Sequence, residues 1–323
     1  MTFLSVLLAL ILEQKRALPF NNPVTGLLRY HALRIRQALD VGKSKYEAMA
    51  WLSVALPWTL AAALIYIALY RLHFLFAFAW NVVILYFTLG FRKFSHHFTD
   101  IQRALNHDDI GRARETLHIW TGIKISDMPA SEIVRQTLAH AVIAVHRHVF
   151  GVFFWFLMPL GPAGAVLYRI AETLARTWSK PSGALLTPHD TNAPPSASFS
   201  RFAQRAFYWI DWLPARLTAF GFAVVGNFED AVHTWRTLRQ PWIAANDTVL
   251  ATVGGGALGA PLTAPHTAEY PDMDALPIGW VSSPLPDATY SPAALQRAAG
   301  LVWRAVVLWM VLLLMLTCAV WLG

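Results

Sequence analysis

Charge is what this chain has little of. Only 14% of its 323 residues are Asp, Glu, Lys or Arg, where a soluble domain carries about a quarter, and this excludes an ordinary water-facing globule. Its single cysteine, Cys318, lies inside an apolar run, which excludes an intrachain disulfide and any cysteine-based metal centre. No G-x-S-x-G motif occurs, so a serine-hydrolase reading has no anchor. The run Gly254-Gly255-Gly256-Ala257-Leu258-Gly259 has neither the lysine of a P-loop nor the spacing and following acid of a dinucleotide fingerprint. No internal repeat is present. The first apolar run has no basic residue before it and no small-x-small site after it, so a cleaved signal peptide is not expected.

What the chain has instead is apolar surface and tryptophan. Hydrophobic residues make up 56% of it, and the mean hydropathy is +0.42. The 14 tryptophans fit an aromatic belt at a lipid–water boundary, where indole keeps its ring apolar and its N–H wet. A net charge of +7 raises the question of nucleic acid. The basic residues, however, flank apolar segments and form no stripe interleaved with aromatics, so no nucleic-acid partner is expected. Anionic headgroups of a lipid bilayer, or a phosphorylated ligand at its surface, account for the excess.

These features predict an all-α, polytopic helical membrane protein, a single membrane domain with four to five membrane segments, surface helices and two long irregular loops. Residues 1–13 form a short apolar helix, below the roughly 30 Å of a hydrocarbon core. Lys15 to Lys45 is basic, with Asp40 its only acid, and belongs in the cytoplasm by the positive-inside rule. Residues 48–90 read as a transmembrane hairpin, broken at Arg71-Leu72-His73 and kinked at Pro57. Residues 92–148 carry eight Lys or Arg and read as a cytoplasmic helical region, with Ile101, Leu105, Ile110, Leu117 and Trp120 at roughly helical spacing. Ser126 and Asp127 are capping candidates before Pro129, and a helix follows from Ile133.

Residues 149–176 are membrane or re-entrant helices, because Gly161-Pro162 and Gly164 allow either a straight crossing or a return to the same side. Residues 178–200 form a linker, and 201–240 interfacial helices. Asp211, Pro214 and Arg216 suit that stretch to the protein interior better than to lipid. A proline-rich loop spans 254–292, and 301–322 is the cleanest transmembrane helix. The expected location is a bacterial inner membrane, multi-pass. The sequence does not define the oligomeric state.

The densest chemistry lies between Phe91 and Arg169. His146 and His148 are two apart and diverge by about 200° on a helix, whereas His140 and His148 are nearly in register. Carboxylates nearby are few, so no metal site is expected. A phosphate site is the sharper reading. Arg92, Lys93, Arg147 and Arg169 each stand within a few residues of an apolar segment, where a guanidinium in reduced dielectric holds phosphate well. With His148, these are the candidate ligand-binding residues. Plain positive-inside flanking would use the same residue types. No motif names a cofactor, and none names a catalytic residue.

Several runs carry a family resemblance. Ala104-Leu105, Asp108-Asp109, Ala113-Arg114, Leu117, Glu132-Ile133-Val134-Arg135, FFWF at 153–156, GPAGAVLYR at 161–169, PARLTAF at 214–220 and GALGAPL at 256–262 together resemble the CobD/CbiB superfamily. The resemblance implies an inner-membrane protein of cobalamin biosynthesis. Its namesake branch joins aminopropanol, or its phosphate, to cobyric acid through an amide bond, with a corrinoid as substrate. That branch carries an acidic E-N-x-x-D-G signature whose positions hold Ile143, Ala144, Arg147 and His148 here. Its early histidine-proline-valine-arginine is reduced to Asn22-Pro23-Val24-Thr25. FGVFFWF at 150–156 and GFAVVGNF at 221–228 look like the AmpE branch, associated with regulation of β-lactamase induction. The resemblance therefore implies an AmpE-like regulatory or ligand-sensing role. The alternative is an enzyme, an adenosylcobinamide-phosphate synthase with a rearranged site.

Overall fold

A computed structural model describes residues 2–15, 23–39, 45–122, 128–179, 197–238, 243–262 and 290–322. The described residues fold into helices without a strand. In chain order these are α1 (Thr2–Lys15), α2 (Pro23–Leu39), α3 (Lys45–Leu72), α4 (Phe74–Thr88), α5 (Phe91–Asn106), α6 (Ile110–Thr121) and α7 (Ala130–Val145). A π turn at His146–Phe150 leads into α8 (Gly151–Leu157). Then come α9 (Pro162–Ser179), α10 (Ala197–Val225), α11 (Phe228–Thr237), α12 (Asn246–Leu258) and α13 (Pro292–Leu322).

Among the described residues three helical stretches are long and apolar enough to cross a bilayer: Tyr46–Leu72, Ala130–Leu157 and Pro292–Ala319, with Phe74–Thr88 a shorter apolar helix. They differ in what covers them. The first and third leave most of their surface open, with Leu64 65% and Met315 66% exposed, so their apolar side chains face the place of lipid. The second is 67% buried within the protein. It is the axis of the bundle, packed by α5, α6, α12 and α13 along α7, and by α9 and α10 along α8.

This axis differs from the sequence-based layout. The 92–148 stretch does not end as a surface region, because α7, the π turn and α8 form one rod through Leu157. Its basic residues suggested water, but Ile133, Val134, Leu138, Val142 and Val145 are buried and draw the helix into the core. Of the residues at helical spacing, Ile101, Leu105 and Leu117 are buried, whereas Ile110 is exposed. Gly254–Leu258, read as the start of a loop, completes α12 and stops at Gly259, whose φ of 64° suits a helix terminus.

The broken segment after Val149 is a reversal. Leu157 ends α8, Gly161 turns at φ 53°, and α9 packs back along α8. Gly164 permits that approach, since a Cβ there would collide with the carbonyl oxygen of Trp155. The candidate caps Ser126 and Asp127, most of the 178–200 linker, and residues 263–289 of the long loop lie outside the described residues.

Candidate functional site

The π turn exists where polar side chains need two directions within one turn. An extra residue per turn there turns His146 inward. Its Nε2 lies 2.8 Å from Asp211 Oδ1, and its Nδ1 lies 2.9 Å from Thr218 Oγ1. With Asp211 ionised, Nε2–H donates to the carboxylate and Nδ1 accepts from the threonine hydroxyl. The Tyr168 hydroxyl donates to the same Oδ1 at 2.8 Å, and Asn246 Nδ2 donates to Oδ2 at 3.2 Å. Arg216 then donates to Asn246 Oδ1 at 2.8 Å and to the Trp212 carbonyl at 2.9 Å, with its guanidinium 4.4 Å above the Trp212 ring. His146, Tyr168, Asp211 and Thr218 are all 0–1% exposed. The network ties α9, α10 and α12 to the axis. Both nitrogens of His146 and both oxygens of Asp211 are engaged, so its work is to fix geometry.

Next to it is a belt of ionised groups. Arg147 Nη2 donates to Asp247 Oδ2 at 2.6 Å, with the Arg147 guanidinium 5.8 Å from the Phe207 ring centre. On α9, Glu172 receives Arg169 at 3.3 Å and Arg176 at 3.5 Å. Arg169 also donates through Nε to the Thr88 carbonyl at 2.9 Å, and through Nη2 to the same oxygen, so it caps the last carbonyl of α4. His148 rests on Gly90, where a Cβ would lie 2.7 Å from Nδ1. Burial by itself would raise the Glu172 carboxyl. Arg176 and Arg169, then His148 and Arg147, outweigh it and hold the carboxyl well below its ordinary value.

The structure thus brings Arg147, His148 and Arg169 together around Glu172. Arg92 is apart from them. It stands beyond the Gly90 joint, where Nη1 donates to the carbonyls of Gln14 and Lys15 and Nε donates to His96 Nε2. The Lys93 side chain lies outside the described residues. The ring of His140 lies 5.9 Å from that of Trp120, which stacks on His97 at 6.1 Å. Among the described residues no group of three or more His, Cys, Asp or Glu converges as a metal site would require.

Two acids, Glu172 and Asp247, escaped the sequence reading. Glu172 had a local signal, since Arg169, Glu172 and Arg176 fall at i, i+3 and i+7 on one helix face. Asp247 had none, because it meets Arg147 from 100 residues away. Asp211 was legible as a buried charge, but its partner His146 was not.

A cavity of about 410 Å³ lies between α1, α5, α7 and α13. Arg92, Glu13, Ser95 and Gln102 line part of it, and Leu10, Phe98, Val302 and Val306 another part.

Long apolar helices around a buried, charge-compensated core define a polytopic helical membrane protein. The profile described as CobD/Cbib protein matches residues 2–278. The chain belongs to the CobD/CbiB family. It is 29% identical to the "Cobalamin biosynthesis protein CobD" of Stutzerimonas stutzeri (strain A1501) over 97% of both chains. It is 30% identical to the protein of the same name from Chromobacterium violaceum, over 56% of this chain and 54% of that one. No solved structure matches.

Proposed function

We propose that this CobD/CbiB family member is an AmpE-like regulatory or ligand-sensing membrane protein, and that Arg147, His148 and Arg169 hold an anionic ligand, a phosphorylated small molecule or a corrinoid. One observation carries this reading. Where the synthase resemblance calls for acids, Ile143 is packed into the apolar core and Arg147 is paired with Asp247. An acid-based site for an amine or a magnesium-bound phosphate has no counterpart at those positions.

The charge balance supports an anion. The three guanidiniums of Arg147, Arg169 and Arg176 face the two carboxylates of Asp247 and Glu172, which leaves one positive charge before His148 is counted. Arg147, Asp247 and Arg176 keep 17%, 27% and 32% of their side-chain surface exposed, so a ligand can reach that side of the cluster. Glu172, almost fully enclosed, positions the arginines.

The second reading is an adenosylcobinamide-phosphate synthase-like enzyme. It is favoured by the names of the two relatives, one of which aligns over nearly its whole length. Complementation separates the readings. Expressed in cells that lack the aminopropanol-attachment step, this chain should not restore corrinoid-dependent growth, and its deletion should alter β-lactamase induction in its own host. Restored growth that is lost in Arg147→Ala or His148→Ala would establish the enzyme instead.

A further inference from the structure

Helix α10 has two faces of opposite character. On the inner face Asp211, Arg216 and Thr218 are buried in the network around His146. The outer face carries Trp209, Leu213, Leu217, Phe220 and Val224, spaced as one stripe of a helix. All five are exposed, Trp209 by 66% and Phe220 by 54%. Between Arg205 and Asn227 every exposed residue of the helix is apolar. At 1.5 Å per residue the stripe runs about 22 Å. Arg201 and Arg205 stand exposed before it, and Asn227, Glu229 and Asp230 after it.

The helices on either side decide what this stripe opens onto. Phe199 and Ala203, near the start of α10, share a buried cluster with Ala50, Val54 and Ala55 of α3. Gly221, near its end, lies beside α13, where a Cβ would come 3.7 Å from Trp309 Nε1. The helix therefore reaches from one lipid-facing span to the other, and its stripe occupies the perimeter between them. Composition hides this. With Asp211, Arg216 and the arginines at its start, α10 is not one of the three stretches apolar enough to cross a bilayer. Those groups, however, are bonded inside the protein or stand before the stripe.

We infer that the outer face of α10 is a membrane-contact surface whose partner is the acyl chains of lipid. Its continuity with the exposed faces of α3 and α13 carries the inference, and its side chains choose between lipid and protein. Helices that associate within a bilayer meet through small residues, which let their backbones approach. On α10 the small residues Ala203, Ala215, Ala219, Gly221 and Ala223 are all buried against the protein. The bulky ones are left outside, an order that suits acyl chains and not a second copy of this chain. Trp209, one turn from the exposed Arg205, stands at the polar end of the stripe, where indole meets both apolar and wet surroundings. One helix thus joins the buried network to lipid, with Asp211 on one side and Leu213 on the other. The inference rests on the membrane placement of α3 and α13, not on the ligand proposed for Arg147, His148 and Arg169.

Spin labelling of the full chain in liposomes of phosphatidylethanolamine and phosphatidylglycerol tests the surface. In a Cys318→Ser background, which removes the one native cysteine, the labels are carried by Leu213→Cys, Leu217→Cys and Phe220→Cys, with Arg205→Cys and Glu229→Cys as the polar ends. Collisions with oxygen, which concentrates in hydrocarbon, are compared with collisions with a water-soluble nickel chelate. The oxygen-to-nickel ratio on the stripe should exceed that at both ends several-fold. A second measurement needs no substitution. Carbene footprinting of the native chain, with an apolar diazirine dissolved in the bilayer, should mark Leu213, Leu217 and Phe220 and spare the buried Ala215 and Ala219. Stripe labels reached by nickel as readily as the ends would overturn the inference in favour of a water-facing surface. Labels shielded from both reagents, or a stripe left unmarked by the carbene, would overturn it in favour of protein cover, by a second copy or another segment of this chain.

Discussion

The His148 imidazole lies over Gly90 so closely that a Cβ at position 90 would stand 2.7 Å from its Nδ1. Two elements far apart in sequence, the π turn and the joint between α4 and α5, therefore occupy one van der Waals gap. Gly90→Ala should displace His148 and cost about 1–3 kcal/mol, as overpacking of a filled interior does. Thermal unfolding in detergent measures the loss. Adding His148→Ala to the same chain should recover most of it, because the smaller side chain vacates the gap.

Asp211 holds His146, Tyr168 and Asn246 at once and is 1% exposed. Asp211→Ala should cost about 3–5 kcal/mol, the usual penalty for stripping the partner from buried polar groups. Asp100, whose pair with Arg103 at 3.6 Å is largely exposed, is the control. Asp100→Ala should change stability by less than about 1 kcal/mol. Equal unfolding temperatures for the two variants would refute the structural role assigned to the buried network.

Arg147 and Asp247 should behave as a pair. Each single reversal, Arg147→Asp or Asp247→Arg, should destabilise the protein, and the double reversal should recover part of the loss. The expected coupling is about 0.5–3 kcal/mol. Additive losses would mean that each residue acts alone.

Glu172 makes stability depend on pH in a defined direction. Its carboxyl is depressed in the folded state from an ordinary value of 4.5. Its contribution is therefore fully present above that value and is lost as pH falls below it, when the proton binds the unfolded chain first. Unfolding temperatures of the native chain and Glu172→Gln should differ most near neutral pH and converge as pH drops below about 4.5. A gap that widens in acid would contradict the assigned sign.

The glycines of α12 should not tolerate a side chain. A Cβ on Gly256 would lie 2.8 Å from the Cα of Ala231 and the carbonyl oxygen of Asp230, and one on Gly254 would lie 2.8 Å from Val142 Cγ1. Gly256→Ala should cost about 1–3 kcal/mol. Gly26, inside α2 with nothing within 4 Å, should do the reverse: alanine there should stabilise by about 0.5–1 kcal/mol by lowering the cost of ordering the helix. Thermal unfolding of both variants in one detergent makes the comparison.

The fold class was legible because apolar composition acts along the chain. Runs such as Ala48–Tyr70 need no partner to declare themselves, and the family resemblance rested on contiguous motifs. The axis was misread because Ala130–Leu157 carries Arg135, Arg147 and His148; Arg135 has a local partner in Glu132, but the sequence does not say that Asp247 stands ready to receive Arg147. The same limit applies to the placement of the basic residues. Arg147, His148 and Arg169 were singled out by local density and lie near Glu172, whereas Arg92, grouped with them in sequence, lies beyond the turn at Gly90 and bonds to the end of α1. The glycine run packs closely against Val142, Asp230 and Ala231, which no local pattern connects to it.

The π turn also has a consequence for how the family can vary. Removing one residue between 146 and 150 would leave a regular α-helix, and nothing in composition or hydropathy would register the change. Yet everything before it would rotate by about 100° relative to everything after. Ile133, Leu138 and Val142 would keep their neighbours only if Phe153 and Phe156 lost theirs. The spacing of the chain across these few positions is thus as constrained as the identity of any side chain in it, and a relative that differs by a single insertion or deletion here would turn a different face of the axis towards α9 and α10.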